Sequence, residues 1–127
     1  MTEISQPDVS GIRNVAVAVT DQDRAKAFYV EVLGLECLMD APIEQLGGRW
    51  IEVAPPGGGT SIALAPTGTE APAGRDTGIR LGTTDAAGLH SALADRGVAV
   101  QQLLNWPGVP PMFTFSDPDG NTLYVVE

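Results

Sequence analysis

Residues 17–35 read VAVTDQDRAKAFYVEVLGL, an apolar strand followed by a helix that begins after Asp21 and ends at Gly34. The alternation of valine with alanine predicts a strand packed on one face. Asp21 suits the N-cap, apolar residues then recur at helical spacing, and glycine suits the position that ends a helix. This stretch therefore predicts a strand–helix–strand unit.

The same unit recurs at residues 78–100 (GIRLGTTDAAGLHSALADRGVAV), where Asp85 begins the helix and Gly97 ends it. Further apolar segments predict strands at residues 35–39, 49–53 and 61–65, and again at 98–104, 112–116 and 122–126. The order is βαβββ twice, which predicts an α+β fold of two modules forming a curved mixed-sheet cup. We place the modules at residues 12–65 and 76–127, with a linker at 66–75 (PTGTEAPAGR), in one domain spanning 1–127.

The composition bears on partners and location. The net charge is −9, with only 7 Lys and Arg, which argues against nucleic acid or an anionic membrane as a partner. The N-terminus does not resemble a signal peptide, and no apolar run approaches the length that spans a bilayer. The single cysteine, Cys37, suits a reducing compartment and is expected to act as a small hydrophobe. We therefore expect a cytoplasmic protein.

Three segments carry a resemblance to a known family: residues 17–35, residues 78–100, and residues 113–127 (FTFSDPDGNTLYVVE). The D-x-x-x-A-x-x-F-Y-x-x-x-L-G-L helix and the later D-P-D-G-N hairpin, in this order, resemble the vicinal oxygen chelate superfamily. That superfamily includes glyoxalase I, extradiol dioxygenases and bleomycin-resistance proteins. The resemblance implies paired βαβββ modules and, because members often pair, a homodimer.

The resemblance also implies where a metal would be held. Metal-dependent members use His and Glu ligands at four places on the concave face, and those places correspond here to Asn14, Ala63, Gly78 and Tyr124. Alanine and glycine offer no side-chain donor, and a neutral asparagine with a tyrosine holds a transition metal poorly. We therefore expect no metal and no other cofactor, and neither the glyoxalase I nor the dioxygenase mechanism.

Strand alternation predicts which side chains line the cup. If the valines of the first strand face the helices, the residues between them face the cup. The predicted lining combines small residues with aromatic and pliable apolar ones, as small-molecule sites do, and Trp106 in the loop 105–111 is placed at the rim. The predicted ligand-binding residues are Asn14, Trp50, Glu52, Ala63, Gly78, Arg80, Trp106, Met112 and Tyr124.

Three functions stay open at this point. The first is a metal-free protein that binds a hydrophobic or aromatic small molecule, resembling the antibiotic-sequestering members of the family. The second is a metal-independent lyase, isomerase or cyclase, in which Glu52 or Tyr124 acts as general acid–base and Arg80 anchors an anionic group. The third is a cup plugged by its own side chains that binds a partner protein. The structural alternatives are an ion pair between Glu52 and Arg80, and core packing for Trp50 and Tyr124.

Overall fold

The computed structural model describes residues 6–67 and 72–127, so the predicted linker at 66–75 lies partly outside the described residues. The first module contains strands β1, Asn14–Val19; β2, Glu36–Ile43; β3, Gly48–Ala54; and β4, Ser61–Pro66. The second contains β5, Asp76–Gly82; β6, Ala99–Val100; β7, Met112–Ser116; and β8, Thr122–Val126. The helices are α1, Gln22–Ala27, and α2, Ala86–Asp95. A π-helical turn, Phe28–Val32, extends α1, and a 3-10 turn, Glu44–Leu46, precedes β3.

Each module forms a four-stranded mixed sheet with the same internal order. The first sheet runs β1-β4-β3-β2 and the second β5-β8-β7-β6. In both sheets the first pair is parallel and the remaining pairs are antiparallel. The predicted α+β class with two βαβββ modules is therefore confirmed.

Aspartate side chains begin both helices, as the sequence predicts. The Asp21 carboxylate accepts a hydrogen bond from the backbone N–H of Arg24 at 3.1 Å, and Asp85 accepts one from Gly88 at 2.9 Å. Gly34 follows the π-helical turn with a φ of 79°, a conformation that glycine adopts without strain. Neither helix, nor any other in the part of the chain that is described, could span a bilayer.

Two strands differ most from their predicted lengths. The strand expected at 98–104 is reduced to Ala99–Val100, and Leu104 only forms an isolated bridge with Met112. The loop that follows contains three prolines, which cannot donate to a strand ladder. β2 instead continues past its predicted end to Ile43, because its pairing with β3 extends to Gly48.

The expectation that Cys37 packs as a small hydrophobe is wrong. It lies on β2, the edge strand of the first sheet, and its side chain is exposed. The pairing with β3 shifts register between Cys37 and Met39, and an irregularity of this kind re-aims side chains at a sheet edge.

One buried cluster joins the two modules. α1 packs on β3 and β4 of its own sheet, and its continuation contacts the second module, where the Phe28 and Phe115 ring centroids lie 6.3 Å apart. The Tyr29 hydroxyl donates to Asp117 at 2.8 Å. The helix-facing sides of the two sheets therefore contribute to one shared core. The buried cluster contains Val17, Val19, Ala25, Phe28, Tyr29, Ile51, Val53, Ile62, Leu64, Leu93, Phe113, Phe115, Leu123 and Val125.

Candidate functional site

We call the side of each sheet opposite the core its outward face. The first outward face, on β1–β4, carries Trp50 and Glu52 at alternate positions of β3. Ile51 and Val53, which follow them in turn, are buried. Asn14 and Ala63 occupy the same face on β1 and β4, since strand residues two apart share a face. Burial alternates along β1 and β3 as the predicted division requires, whereas on β4 the residues of both faces, Ser61 to Leu64, are buried.

Glu52 is held by two neutral donors. The Trp50 indole Nε1 donates to Glu52 Oε2 at 2.6 Å, and the buried Ser61 hydroxyl donates to Oε1 at 2.6 Å. These hydrogen bonds favour the charged carboxylate, and they lower the pKa of Glu52 below its ordinary value, the bond from Ser61 more than the bond from Trp50. Glu52 is therefore ionised at neutral pH.

Small residues surround this carboxylate. Ala63 stands opposite Glu52 in the ladder and opposite Ala16 on its other side. Ala63 is only 1% exposed, whereas Ala16 is open to solvent. The centre of the first outward face is thus formed by small apolar residues, and the larger side chains of Trp50 and Glu52 project beside it.

The second outward face, on β5–β8, is built around Tyr124. The Arg80 guanidinium carbon lies 4.6 Å from the centroid of the Tyr124 ring, and the Tyr124 hydroxyl donates to Asp76 Oδ2 at 2.7 Å. This hydrogen bond is the main cause that raises the pKa of Tyr124 and lowers the pKa of Asp76. Arg80 also donates to the Gly78 carbonyl at 3.0 Å, and Met112 lies half-buried on β7 of the same sheet.

Gly78 has a role that strand alternation does not reveal. Its φ is 69°, and the pairing of β5 with β8 shifts register between Asp76 and Arg80. A side chain at this φ is strained even though the space around the glycine is open. The backbone conformation, in addition to the small volume, therefore explains the glycine.

Residues of both outward faces line the space between the modules, because Ser61 of the first face and Gly78 and Arg80 of the second border the same cavity. The ion pair considered between Glu52 and Arg80 is not formed, because Glu52 bonds to Trp50 and Ser61 while Arg80 stacks on Tyr124. Trp50 and Tyr124 are both half-buried rather than enclosed, so packing in a closed interior does not describe them. Within the described residues, β1 and β5 share no hydrogen-bonded ladder that would merge the two sheets.

Trp106 lies apart from the ladders of both sheets. It occupies the loop between β6 and β7, its side chain is 58% exposed, and its carbonyl accepts a hydrogen bond from the backbone of Val109. Its predicted place at the rim of a site stays a prediction.

Sequence reasoning missed a cavity between the modules. A space of about 460 Å³ separates the facing edges of β1 and β5. Its walls are mainly apolar because the core-side residues of both strands reach it, and alternation within single strands gives no signal for such a gap. The apolar residues that line it are Ile12, Val15, Pro55, Ile62, Ile79 and Leu81.

The donor set does not fit the divalent metal of metal-dependent relatives. Ala63 and Gly78 have no side-chain donor, and the protonated Tyr124 hydroxyl is engaged in a hydrogen bond that it donates to Asp76. Across residues 6–67 and 72–127, no three His, Cys, Asp or Glu side chains are grouped so that they could hold a metal ion. His90, the one histidine of the sequence, packs against Phe113 and hydrogen-bonds the Gln101 carbonyl instead.

The paired modules, the hydrogen bond that joins Tyr29 to Asp117 and the outward faces define the class of protein. The profile of the Glyoxalase/Bleomycin resistance protein/Dioxygenase superfamily matches residues 11–125, and the chain belongs to that superfamily.

Individual members can be compared with it directly. TnmS3, an antibiotic binding protein from Streptomyces sp. CB03234, has 38% sequence identity and a TM-score of 0.85, covering 95% of this chain and 98% of its own. A member of the superfamily from Sphaerobacter thermophilus DSM 20745 has 32% identity and a TM-score of 0.86, covering 94% and 98%. The uncharacterized protein YetH of Bacillus subtilis (strain 168) is 29% identical over 123 residues, or 94% of this chain and 99% of YetH.

Proposed function

We propose that this chain is a metal-free binding protein for a hydrophobic or aromatic small molecule, which it holds in a cup made from its outward faces. The observation that carries the proposal is the pair of half-buried aromatic side chains, Trp50 and Tyr124, each beside small residues at places where metal ligands would otherwise stand. Flat apolar surface with a few polar groups is the usual lining of small-molecule sites. The similarity to TnmS3, an antibiotic binding protein, supports the same function.

A second copy of the chain completes the cup in this proposal. Trp50 and Tyr124 are both only half-buried, so each face of a single chain leaves part of its aromatic surface uncovered. In a homodimer with two-fold symmetry, the first outward face of one chain meets the second outward face of the other, which produces two equivalent cups. The partly exposed aromatic and apolar side chains on both faces support this arrangement.

The test uses acridine, a neutral planar aromatic molecule, as the probe. Titration calorimetry is expected to show saturable binding, and Trp50→Ala and Tyr124→Ala are each expected to weaken it about tenfold, because each removes an aromatic wall. The matched control is Val9→Ala, which removes a side chain 87% exposed in the N-terminal segment and leaves binding unchanged. Equal binding by all four proteins would contradict the proposal.

Two further measurements bear on the same proposal. Light scattering after size-exclusion chromatography is expected to give a dimer. Elemental analysis of the purified protein is expected to find no stoichiometric metal. One bound metal ion per chain would contradict the metal-free site.

A second candidate function is a metal-independent enzyme, favoured by the hydrogen bond between Tyr124 and Asp76 beside the Arg80 cation. The electrostatics weigh against it, because the pKa of Glu52 is lowered and that of Tyr124 raised, so both move away from neutral pH. Glu52→Gln separates the two functions: an enzyme that uses Glu52 as acid–base loses turnover of its substrate while retaining binding.

A further inference from the structure

We propose that Trp50, Glu52 and Ser61 form a subsite for an organic cation, so that the ligand is an aromatic or apolar molecule carrying a protonated amine. This inference rests on the proposed function, since it names the chemical class of ligand for the same cup. In this proposal the first outward face recognises the positive charge of the ligand as well as its apolar surface.

The Glu52 carboxylate is held in a fixed position and keeps free acceptor sites. Each Glu52 oxygen accepts one hydrogen bond, from Trp50 at 2.6 Å or from Ser61 at 2.6 Å. A carboxylate has about four acceptor sites, so roughly two are free. Because Ser61 is buried beneath the face and Trp50 stands beside Glu52 on the same strand, the carboxylate is held in place before any ligand arrives.

The charge of Glu52 has no cationic partner in contact. The ion pairs found in the described residues join Arg24, Lys26 and Arg49 to aspartates elsewhere, and Glu52 is in none of them. Arg13 acts on Glu52 only as a longer-range positive charge. Glu52 therefore combines fixed geometry with an uncompensated negative charge.

When a ligand covers this face, the negative charge of Glu52 determines which kind of ligand binds well. A neutral apolar ligand seated against Trp50 would remove water from Glu52 and leave its charge without a partner, which weakens the binding of that ligand. A ligand ammonium placed at the free acceptor sites would restore a charge-assisted hydrogen bond. The face of the Trp50 indole attracts the same cation through its ring quadrupole.

The second outward face differs in this respect. Arg80 is already engaged by the Tyr124 ring and the Gly78 carbonyl, and Asp76 accepts hydrogen bonds from the Tyr124 hydroxyl and the Gly78 backbone. Its charged groups, Arg80 and Asp76, have opposite signs and lie close enough to interact. Arg80 helps to lower the pKa of Asp76. The uncompensated charge is thus on the first outward face.

The experiment compares two probes that share one ring system. Proflavine is a planar aromatic cation at neutral pH, and acridine is its neutral parent ring. Titration calorimetry on the full chain is expected to give at least about tenfold tighter binding of proflavine than of acridine. Glu52→Gln retains an acceptor for Trp50 and removes the charge, so it is expected to abolish this preference while leaving acridine affinity equal or improved.

Glu31→Gln is the matched control, because it removes the same charge from an exposed position on the turn after α1. It is expected to keep the preference, which excludes an effect of the overall charge of −9. Equal affinity of the wild-type chain for both probes would overturn this inference and leave the proposed function standing. It would mean that the charge of Glu52 is neutralised from elsewhere, for example by Arg80 of a second copy. Failure of both probes to bind would overturn the inference and the proposed function together.

Discussion

Tyr29 shows how one side chain joins the two modules. Its hydroxyl donates to the buried Asp117 carboxylate, which also accepts from the backbone N–H groups of Asp119 and Asn121. Burial, followed by the charge of Asp117, raises the pKa of Tyr29 far above its ordinary value. The phenol therefore keeps its proton and remains a donor throughout the pH range in which the protein folds.

Removing this hydroxyl is expected to destabilise the fold. We expect Tyr29→Phe to lower the free energy of unfolding by roughly 1 to 3 kcal/mol, because a buried carboxylate loses a donor that water cannot replace. Urea denaturation followed by circular dichroism measures the difference. The matched control is Tyr124→Phe, which removes an exposed hydroxyl and should change stability by less than about 0.5 kcal/mol. Equal losses of unfolding free energy in the two variants would contradict a stabilising role for the hydrogen bond between Tyr29 and Asp117.

The hydrogen bonds of Asp40 predict how the stability of the fold depends on pH in acid. Hydrogen bonds from Arg49 first, and from Lys26 second, lower the pKa of Asp40 from 3.8 to about 2. Because its pKa is depressed in the folded state, Asp40 stabilises the fold above pH 3.8, and this contribution disappears as the pH falls towards about 2. NMR titration of the side-chain carboxyl should find Asp40 still ionised at a pH where exposed aspartates are half protonated. A midpoint at the ordinary value would contradict the hydrogen-bonded geometry.

At the scale of elements, helix limits are more predictable from sequence than strand limits. Asp21 and Asp85 cap their helices through contacts three residues away, so local sequence contains the necessary information. Strand limits depend on a distant partner: β2 lengthens because β3 pairs with it, and β6 shortens although its sequence is as apolar as predicted. The faces of β1 and β3 were nevertheless predictable, because alternation with period two is itself local, whereas β4 is buried on both faces.

The irregular strand β5 gives a prediction at this scale. We expect Gly78→Ala to destabilise the protein by about 1 kcal/mol, since its φ of 69° is unfavourable for any residue with a Cβ. Gly82→Ala is the control on the same strand, where φ is not positive and no atom crowds the added Cβ. Thermal unfolding should rank Gly82→Ala at or above the wild type and Gly78→Ala below it. The reverse ranking would contradict the assigned backbone.

For the whole molecule, the shared core links the stabilities of the two modules. α1 packs on the first sheet and its π-helical continuation packs on the second module, so neither module keeps its buried surface if the other unfolds. The chain contains two tryptophans, Trp50 in the first module and Trp106 in the second. Each therefore reports on a different half of the structure.

We expect one cooperative unfolding transition, consistent with the expectation of a single domain. Trp106→Phe leaves the fluorescence of Trp50 alone, and Trp50→Phe leaves that of Trp106 alone. In each variant, the fluorescence midpoint in urea should coincide with the midpoint measured by far-UV circular dichroism. Separate midpoints within one variant would show that the modules unfold independently and would contradict the shared core.

The sequence by itself determined the two βαβββ modules, the helix caps, the outward position of Trp50 and Glu52, and the poor donor set at Asn14, Ala63, Gly78 and Tyr124. These properties follow from periodicity, capping and donor chemistry, which are local. Only the tertiary structure decided how the modules pack on each other. Packing of the π-helical continuation of α1 brings Tyr29 to Asp117, and the fold gives Glu52 and Arg80 separate partners. Contacts between distant segments depend on how whole surfaces fit together, and no local pattern in the chain encodes that fit.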